Sequence, residues 1–199
     1  MRTKTPKLVL AAILVALAVA LSFAKLWEMP MGGSVTLGSM LPIMLLSLAL
    51  GVKWGLAGST VFVLFQLAQA LIEGNVFPYC ETGLTLVICV LFDYVVPFGI
   101  LGLTGALRSL RIGRFRHFGA YLGIVVACVV RFLSHYITGV AIWGQWAPDG
   151  MGKYLYSLLY NGGFMLPELG ITLVLAALLL ESPEIRRLIN LPVDRDLNA

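Results

Sequence analysis

The sequence predicts an all-α membrane protein: a compact bundle of six transmembrane helices with both termini in the cytoplasm. Of its 199 residues 59% are hydrophobic and only 12% are charged, and the mean hydropathy is +0.93. A soluble domain carries about 25% charged residues, so composition excludes a soluble domain, a disordered chain and a nucleic-acid-binding arm. A further observation is that the basic residues gather at one set of predicted helix ends, which gives the bundle an orientation.

Six apolar stretches are separated by short loops that are rich in Gly or Pro. A hydrocarbon core ~30 Å thick requires about 20 apolar residues per helix, and only the second stretch is clearly shorter. The runs are too long, and alternate too seldom, to be barrel strands. Within a single domain covering 1–199, the predicted helices are about 8–26, 35–50, 54–72, 82–107, 119–143 and 156–180.

The orientation follows from Lys and Arg, which are enriched on the cytoplasmic side of membrane proteins. Lys25 and Lys153 fall on the outer side, and Arg131 falls inside a helix. The other basic residues share the cytoplasmic side: Arg2, Lys4, Lys7, Lys53, Arg108, Arg111, Arg114, Arg116, Arg186, Arg187 and Arg195. The start of the chain also resembles a secretory signal, but its apolar run is longer than a usual signal core, which favours a retained first helix.

No sequence pattern indicates catalysis. The chain has no P-loop, no HExxH and no GxSxG. Ser134 beside His135 is not a nucleophile with its base, because neighbouring residues on a helix point apart. The three cysteines, Cys80, Cys89 and Cys128, have no metal-ligand or disulfide spacing. The sequence therefore predicts no enzyme activity, no cofactor and no metal, and it favours a transporter or its binding subunit.

Ionisable residues inside the membrane are costly, so each is a functional candidate. Asp93, Arg131 and Glu168 fall within predicted helices, and His135 lies one turn from Arg131 on the same face. Asp93 and Arg131 lie at similar depths. Either they neutralise each other, or at least one faces a ligand. Glu168 is an alternative partner for Arg131, and the sequence leaves this choice open.

The stripe of Arg131 and His135 continues through Gly139 to Trp143, towards the outer end of the fifth helix. The region that follows, from Trp146 to Asn161, is the most aromatic of the chain. An interfacial belt is one explanation. Paired tryptophans near a carboxylate also suit a flat cationic ligand, because indole rings stack on it and attract positive charge.

A strip of small residues on the first helix is a second candidate surface. Ala12, Ala16 and Ala20 recur at four-residue spacing and leave a smooth face. Such faces let another helix approach closely. The approaching helix belongs either to a partner protein or to this bundle.

These residues together resemble the thiamine-specific substrate-binding (S) components of energy-coupling factor (ECF) transporters. The resemblance rests on Gly32–Ile43, Phe92–Tyr94, Arg131–Pro148 and Tyr156–Gly162, and it covers all six helices in order. It implies a bacterial cell-membrane subunit that binds thiamine with high affinity near the extracellular face. It also implies that the alanine strip docks on a transmembrane coupling (T) component, while two cytoplasmic ATPase partners alone use ATP.

The resemblance further implies a set of ligand contacts. They are Asp93, Tyr94, His135, Gly139, Trp143, Trp146, Tyr156 and Asn161. The two tryptophans would stack the ligand rings, Asp93 would accept from the aminopyrimidine or offset the thiazolium charge, and Trp27 is the candidate for an aromatic lid. Two alternatives are a stand-alone proton-coupled transporter, using Asp93, His135 and Glu168, and an S component for a thiamine precursor or another vitamin.

Overall fold

A computed structural model describes residues 5–113, 117–183, 185 and 187. This part of the chain is mainly helical, with one small hairpin. The hairpin consists of β1 Lys25–Glu28 and β2 Ser34–Thr36. The helices are α1 Thr5–Phe23, α2 Leu41–Leu50, α3 Val52–Glu73, α4 Gly83–Leu107, α5 Phe118–Ala141 and α6 Lys153–Leu180. All except α2 are long and apolar enough to cross a membrane, which confirms the predicted class of an all-helical membrane protein.

The first helix ends three residues earlier than predicted, and the second begins six residues later. Residues expected in helix form the antiparallel strands β1 and β2 instead, with Trp27 opposite Val35. The turn between the strands, Pro30–Gly32, contains a residue with a φ of 62°, which no right-handed helix accepts. The predicted bounds 8–26 and 35–50 are therefore wrong at the ends that face each other, because strand pairing between them replaces helix.

The second helix is an internal element and not a full span. Its ten residues are all buried and extend about 15 Å along the axis, half the thickness of the hydrocarbon core. Pro42 occupies its first turn, where a missing N–H is harmless. Gly51 ends it with a φ of 91°, a conformation that favours glycine.

The remaining helices agree with the predicted 54–72, 82–107, 119–143 and 156–180 within three residues at each end. The fifth helix ends at Ala141, and a short 3₁₀ turn, Trp143–Trp146, follows it. One main hydrophobic cluster takes buried side chains from all six helices. The described residues therefore pack around a shared core.

Lys7, Lys53 and Arg108 lie at one end of the bundle, whereas Lys25 and Lys153 belong to the other end and Arg131 lies between them. Arg108, after α4, donates from Nη1 to the carbonyl oxygen of Leu48 near the end of α2, at 2.9 Å. Lys7 and Lys53 lie at the start of α1 and α3. The cytoplasmic location of this end stays a prediction. Several of its cations lie outside the described residues: Arg2, Lys4, Arg114, Arg116, Arg186 and Arg195.

Candidate functional site

A polar cavity lies between the β1–β2 hairpin and the helices α3 to α6. Its wall includes several charged side chains in an otherwise apolar bundle. They are Lys25, Glu73, Asp93, Arg131 and Glu168. Because ionisable groups in a membrane protein lie against protein partners, water or ligand, this cavity is the candidate binding site.

Asp93 is held in a fixed position on the wall of the cavity. His135 Nδ1 lies 3.0 Å from Asp93 Oδ1, and the hydroxyl of Thr138 donates to the same oxygen. Trp143 Nε1 donates to Asp93 Oδ2 at 3.0 Å. The Asp93 side chain keeps 12% of its surface exposed, so its carboxylate can still contact a ligand.

The backbone around Asp93 is a π-helical turn, Val90–Val95, inserted in α4. Its cause is Pro97, which has no N–H to donate to the carbonyl of Asp93 and whose ring would clash with it. The N–H of Val96 accordingly bonds to the carbonyl of Leu91, five residues earlier. The widened turn leaves a further carbonyl, that of Phe92, free to accept from Ser134 on α5. A π turn of this kind is frequent at functional sites.

The two tryptophans of the 3₁₀ turn differ in their relation to the cavity. Trp143 lines the cavity, whereas Trp146 packs behind it, with ring centroids 5.8 Å apart and planes tilted by 36°. Tyr79 meets both indoles edge-on, at 6.4 Å from Trp143 and 5.5 Å from Trp146. Trp143 therefore presents part of its indole to the cavity, and Trp146 contacts Trp143.

Helix α6 closes the opposite wall. Asn161 Nδ2 donates to the carbonyl oxygen of His135 at 3.2 Å and to that of Ser157 at 2.9 Å. Gly139 lies where α5 and α6 are closest, since an added Cβ would collide with Ser157 Oγ and approach Asn161 Nδ2 to 2.8 Å. Gly139 permits this packing and does not itself line the cavity, whereas Asn161 and Tyr156 do.

The hairpin covers the cavity and is bonded to α6 at two points. Tyr160 donates its hydroxyl to the carbonyl of Pro30 and accepts from the N–H of Gly33 at 3.1 Å. Glu168 accepts from the N–H of Thr36 at 2.7 Å and from its hydroxyl at 2.6 Å. Both oxygens of this buried carboxylate are thereby used in holding β2.

A third attachment joins the hairpin to α3. Lys25 on β1 lies 2.7 Å from Glu73 and 2.8 Å from Glu28. Partial burial opposes the charged form of Lys25, but the hydrogen bonds and negative charges of Glu28 and Glu73 outweigh it and raise the pKa of Lys25. The ion pair is therefore fully formed at neutral pH.

Arg131 has neither of the partners that the sequence suggested. Its guanidinium carbon lies 4.4 Å from the ring centroid of Phe98, and its Nε and Nη1 are buried without an acceptor. Among the described residues, Asp93 pairs with His135 and not with Arg131. Glu168 bonds to Thr36.

The structure brings most of the predicted ligand contacts together, although their roles stay predictions. Those that line the cavity are Asp93, Tyr94, His135, Trp143, Tyr156 and Asn161. Gly139 and Trp146 lie behind this wall, and Trp27, the proposed lid, is 54% exposed on β1. Sequence reasoning missed Thr138, although its spacing of three residues from His135 places it on the same helix face.

The alanine strip of α1 is exposed. Ala12, Ala16 and Ala20 line a shallow groove with residues of α3, including Trp54 and Phe65. The described part of the chain contains no group of three or more His, Cys, Asp or Glu residues able to hold a metal ion.

The fold and the cavity define a class: a helical membrane protein with a polar cavity of a size to hold a small solute. Comparison with known proteins supports this class. The family model described as thiamine transporter protein (Thia_YuaJ) matches residues 8–187. The chain therefore belongs to the thiamine transporter protein family, which confirms the family resemblance seen in the sequence. The protein is a multi-pass protein of the cell membrane and a transporter, not an enzyme.

Individual relatives agree with this family. The chain is 34% identical to "Thiamine transporter ThiT" of Bacillus subtilis over 191 residues, 90% of this chain and 93% of the relative. It is 31% identical to "Thiamine transporter ThiT" of Lacticaseibacillus paracasei over 98 residues, 45% of this chain and 48% of that one. The solved structure of ThiT from Listeria monocytogenes has a similar fold, with a TM-score of 0.68 at 22% identity. The superposed region covers 92% of this chain and 97% of the Listeria chain.

Proposed function

We propose that this protein is the high-affinity thiamine-binding subunit of an ECF-type transporter and that it captures thiamine at the extracellular face. The observation that carries the ligand assignment is the Asp93 carboxylate, fixed by three donors beside an indole ring. A fixed anion next to an aromatic face is complementary to a flat organic cation. Thiamine carries a positive thiazolium ring, and thiamine transport is the function of the family.

The neighbouring side chains suit the second ring of thiamine, a neutral aminopyrimidine. When His135 donates from Nδ1 to Asp93, its Nε2 presents a lone pair, and this buried atom has no partner within the described protein. It can accept a hydrogen bond from the ligand amino group. Tyr156 and Asn161 line the same wall and are proposed to contact the pyrimidine edge, while Tyr94 completes the wall and Trp146 and Gly139 hold it in shape.

The proposed partners are an ECF transmembrane coupling component and two cytoplasmic ATPases. Support comes from the groove lined by Ala12, Ala16 and Ala20, whose apolar floor and small side chains allow a partner helix to pack closely. In this proposal ATP is used only by the partner subunits, and the chain needs no cofactor. The absence of a P-loop from its sequence is consistent with that division of labour.

Tryptophan-fluorescence titration of the purified protein tests the ligand. Because Trp143 lines the cavity, thiamine should quench its emission in a saturable way. The Trp143→Phe variant is the matched control, since it keeps an aromatic wall but removes that emission. No saturable change with thiamine, together with one for riboflavin or biotin, would overturn the assignment.

Uptake measurements distinguish an ECF subunit from a stand-alone carrier. Thiamine should accumulate in proteoliposomes only when the coupling component, the ATPases and ATP are present. The Ala16→Trp variant should abolish this uptake while leaving the thiamine Kd unchanged, because Ala16 lines the groove on α1 and not the cavity. Accumulation driven by a proton gradient with this chain alone would refute the subunit proposal and favour the proton-coupled alternative.

A further inference from the structure

The least explained charged group of the cavity is Arg131. It is 8% exposed, it lines the cavity, and two of its guanidinium nitrogens are buried without an acceptor. Among the residues that the structure describes, its guanidinium carbon lies against the face of the Phe98 ring, 4.4 Å from the centroid. A buried charge is costly unless it is paired and hydrogen-bonded. Within the described part of the chain, Arg131 is therefore a buried cation with no carboxylate at ion-pair distance.

The neighbouring carboxylates do not supply that partner. Both oxygens of Glu168 accept from Thr36, so this carboxylate attracts Arg131 from beyond ion-pair distance. Asp93 is occupied by His135, Thr138 and Trp143. At the mouth of the cavity, Glu73 pairs with Lys25. Each described carboxylate of the wall thus has donors of its own.

The position of Arg131 suits a ligand with two charges. Arg131 precedes His135 by one helical turn on α5, which places it about 6 Å deeper along the axis. His135 in turn contacts Asp93 at 3.0 Å. If the cationic ring of a ligand lies beside Asp93, a group attached to that ring through some two or three bonds can therefore reach Arg131. In thiamine the primary alcohol extends from the thiazolium ring by a two-carbon chain.

We propose that Arg131 forms an oxyanion subsite, which binds a phosphate group beside the cationic ring of the ligand. The preferred source is a phosphate ester of the primary alcohol of thiamine, and this inference rests on the proposed function. Guanidinium binds phosphate oxygens with paired, charge-assisted hydrogen bonds. A bound phosphate would supply the acceptors that Nε and Nη1 lack. Free inorganic phosphate bound next to thiamine is the other source of the same chemistry.

Titrations of three variants against two ligands test the subsite. Purified wild type, Arg131→Gln, Arg131→Lys and Arg108→Gln are titrated with thiamine and with thiamine monophosphate, and with thiamine in millimolar inorganic phosphate. Arg131→Gln should weaken binding of the monophosphate about tenfold or more relative to thiamine, the factor that one charge-assisted hydrogen bond contributes. Arg131→Lys should fall between. Arg108→Gln is the matched control because Arg108 bonds to Leu48 outside the cavity, and it should leave the ratio unchanged.

The outcomes separate this inference from the proposed function. If wild type does not bind thiamine, both fail. If thiamine binds but Arg131→Gln lowers the affinity for both ligands equally, the subsite alone is refuted. The subsite alone is also refuted if wild type does not bind the monophosphate and inorganic phosphate leaves its thiamine affinity unchanged. If Arg131→Gln does not fold, the Arg131→Lys ratio and the wild-type preference decide in the same way. Strengthening of thiamine binding by inorganic phosphate, lost on substitution of Arg131, would support the subsite with the free ion as its occupant.

Discussion

Replacing Asp93 by Asn is the most informative single change, because it removes one charge and almost no volume. The carboxylate is 12% exposed and faces the cavity. At about 4 Å and an effective dielectric constant of about 20, a unit charge pair contributes about 4 kcal/mol. Part of this is retained by the amide dipole, so we expect thiamine affinity to fall roughly 100- to 1000-fold, at about 1.4 kcal/mol per factor of ten.

The hydrogen bonds around Asp93 add to the loss of thiamine affinity expected for the Asp93→Asn variant. The carboxylate accepts on both oxygens, from His135 and Thr138 on one side and from Trp143 on the other. Asn has a single acceptor oxygen, so its NH₂ group must face one of these donors. A buried donor left without an acceptor costs about 1–3 kcal/mol, although a change of tautomer at His135 can relieve the conflict.

The assay is isothermal titration of Asp93→Asn and wild type with two ligands. One is thiamine, and the other is an isosteric analogue with a neutral thiophene in place of the thiazolium ring. The neutral analogue should lose less than about tenfold, since no ion pair is removed. Equal losses for the two ligands would show that Asp93 acts only through the geometry of the wall, and unchanged thiamine affinity would remove it from the site.

Two further predictions concern residues behind or within the wall. Trp143→Ala should weaken thiamine binding about ten- to a hundredfold, because stacking and cation–π contacts contribute on the order of 1–2 kcal/mol each. Trp146→Ala removes only a supporting ring and should have a clearly smaller effect. Equal effects of the two variants in calorimetry would place both rings against the ligand. Gly139→Ala should lower the melting temperature, because overpacking against Ser157 costs about 1–3 kcal/mol. Thermal unfolding in detergent measures this change, and a melting temperature equal to wild type would show that α5 and α6 separate freely at Gly139.

Much of the candidate site was predictable because it lies on one periodic stripe. Arg131 and His135 follow the four-residue spacing of α5, and extending that spacing beyond the end of the helix reaches Trp143. The carboxylate that meets His135 and Trp143 is an ionisable residue inside a span. A charge in hydrocarbon must face the interior, so its orientation follows from physics alone. The bounds of the four later helices follow in the same way from the length of apolar runs.

Other features depend on contacts between distant segments and were not predictable. The strand Ser34–Thr36 reads as the start of a helix, because three residues carry no periodicity of their own. Its partner Glu168 lies more than a hundred residues away, and the sequence offered Arg131 as an equally good partner. Trp146 stays a predicted ligand contact, and its packing against Trp143 in the 3₁₀ turn after α5 had no signal in the sequence.

If the cavity binds its solute as proposed, the attachments of the hairpin that covers it also affect how long that solute stays bound. The hairpin is held by neutral hydrogen bonds from Tyr160 and by the carboxylate of Glu168 on one side, and by the Lys25–Glu73 ion pair on the other. Only the ion pair is weakened appreciably by salt. Ionic strength therefore acts on one edge of the cover and leaves the other bonded. We therefore expect the dissociation rate of the proposed ligand to depend on the bonds that hold this hairpin as well as on the contacts of the ligand itself.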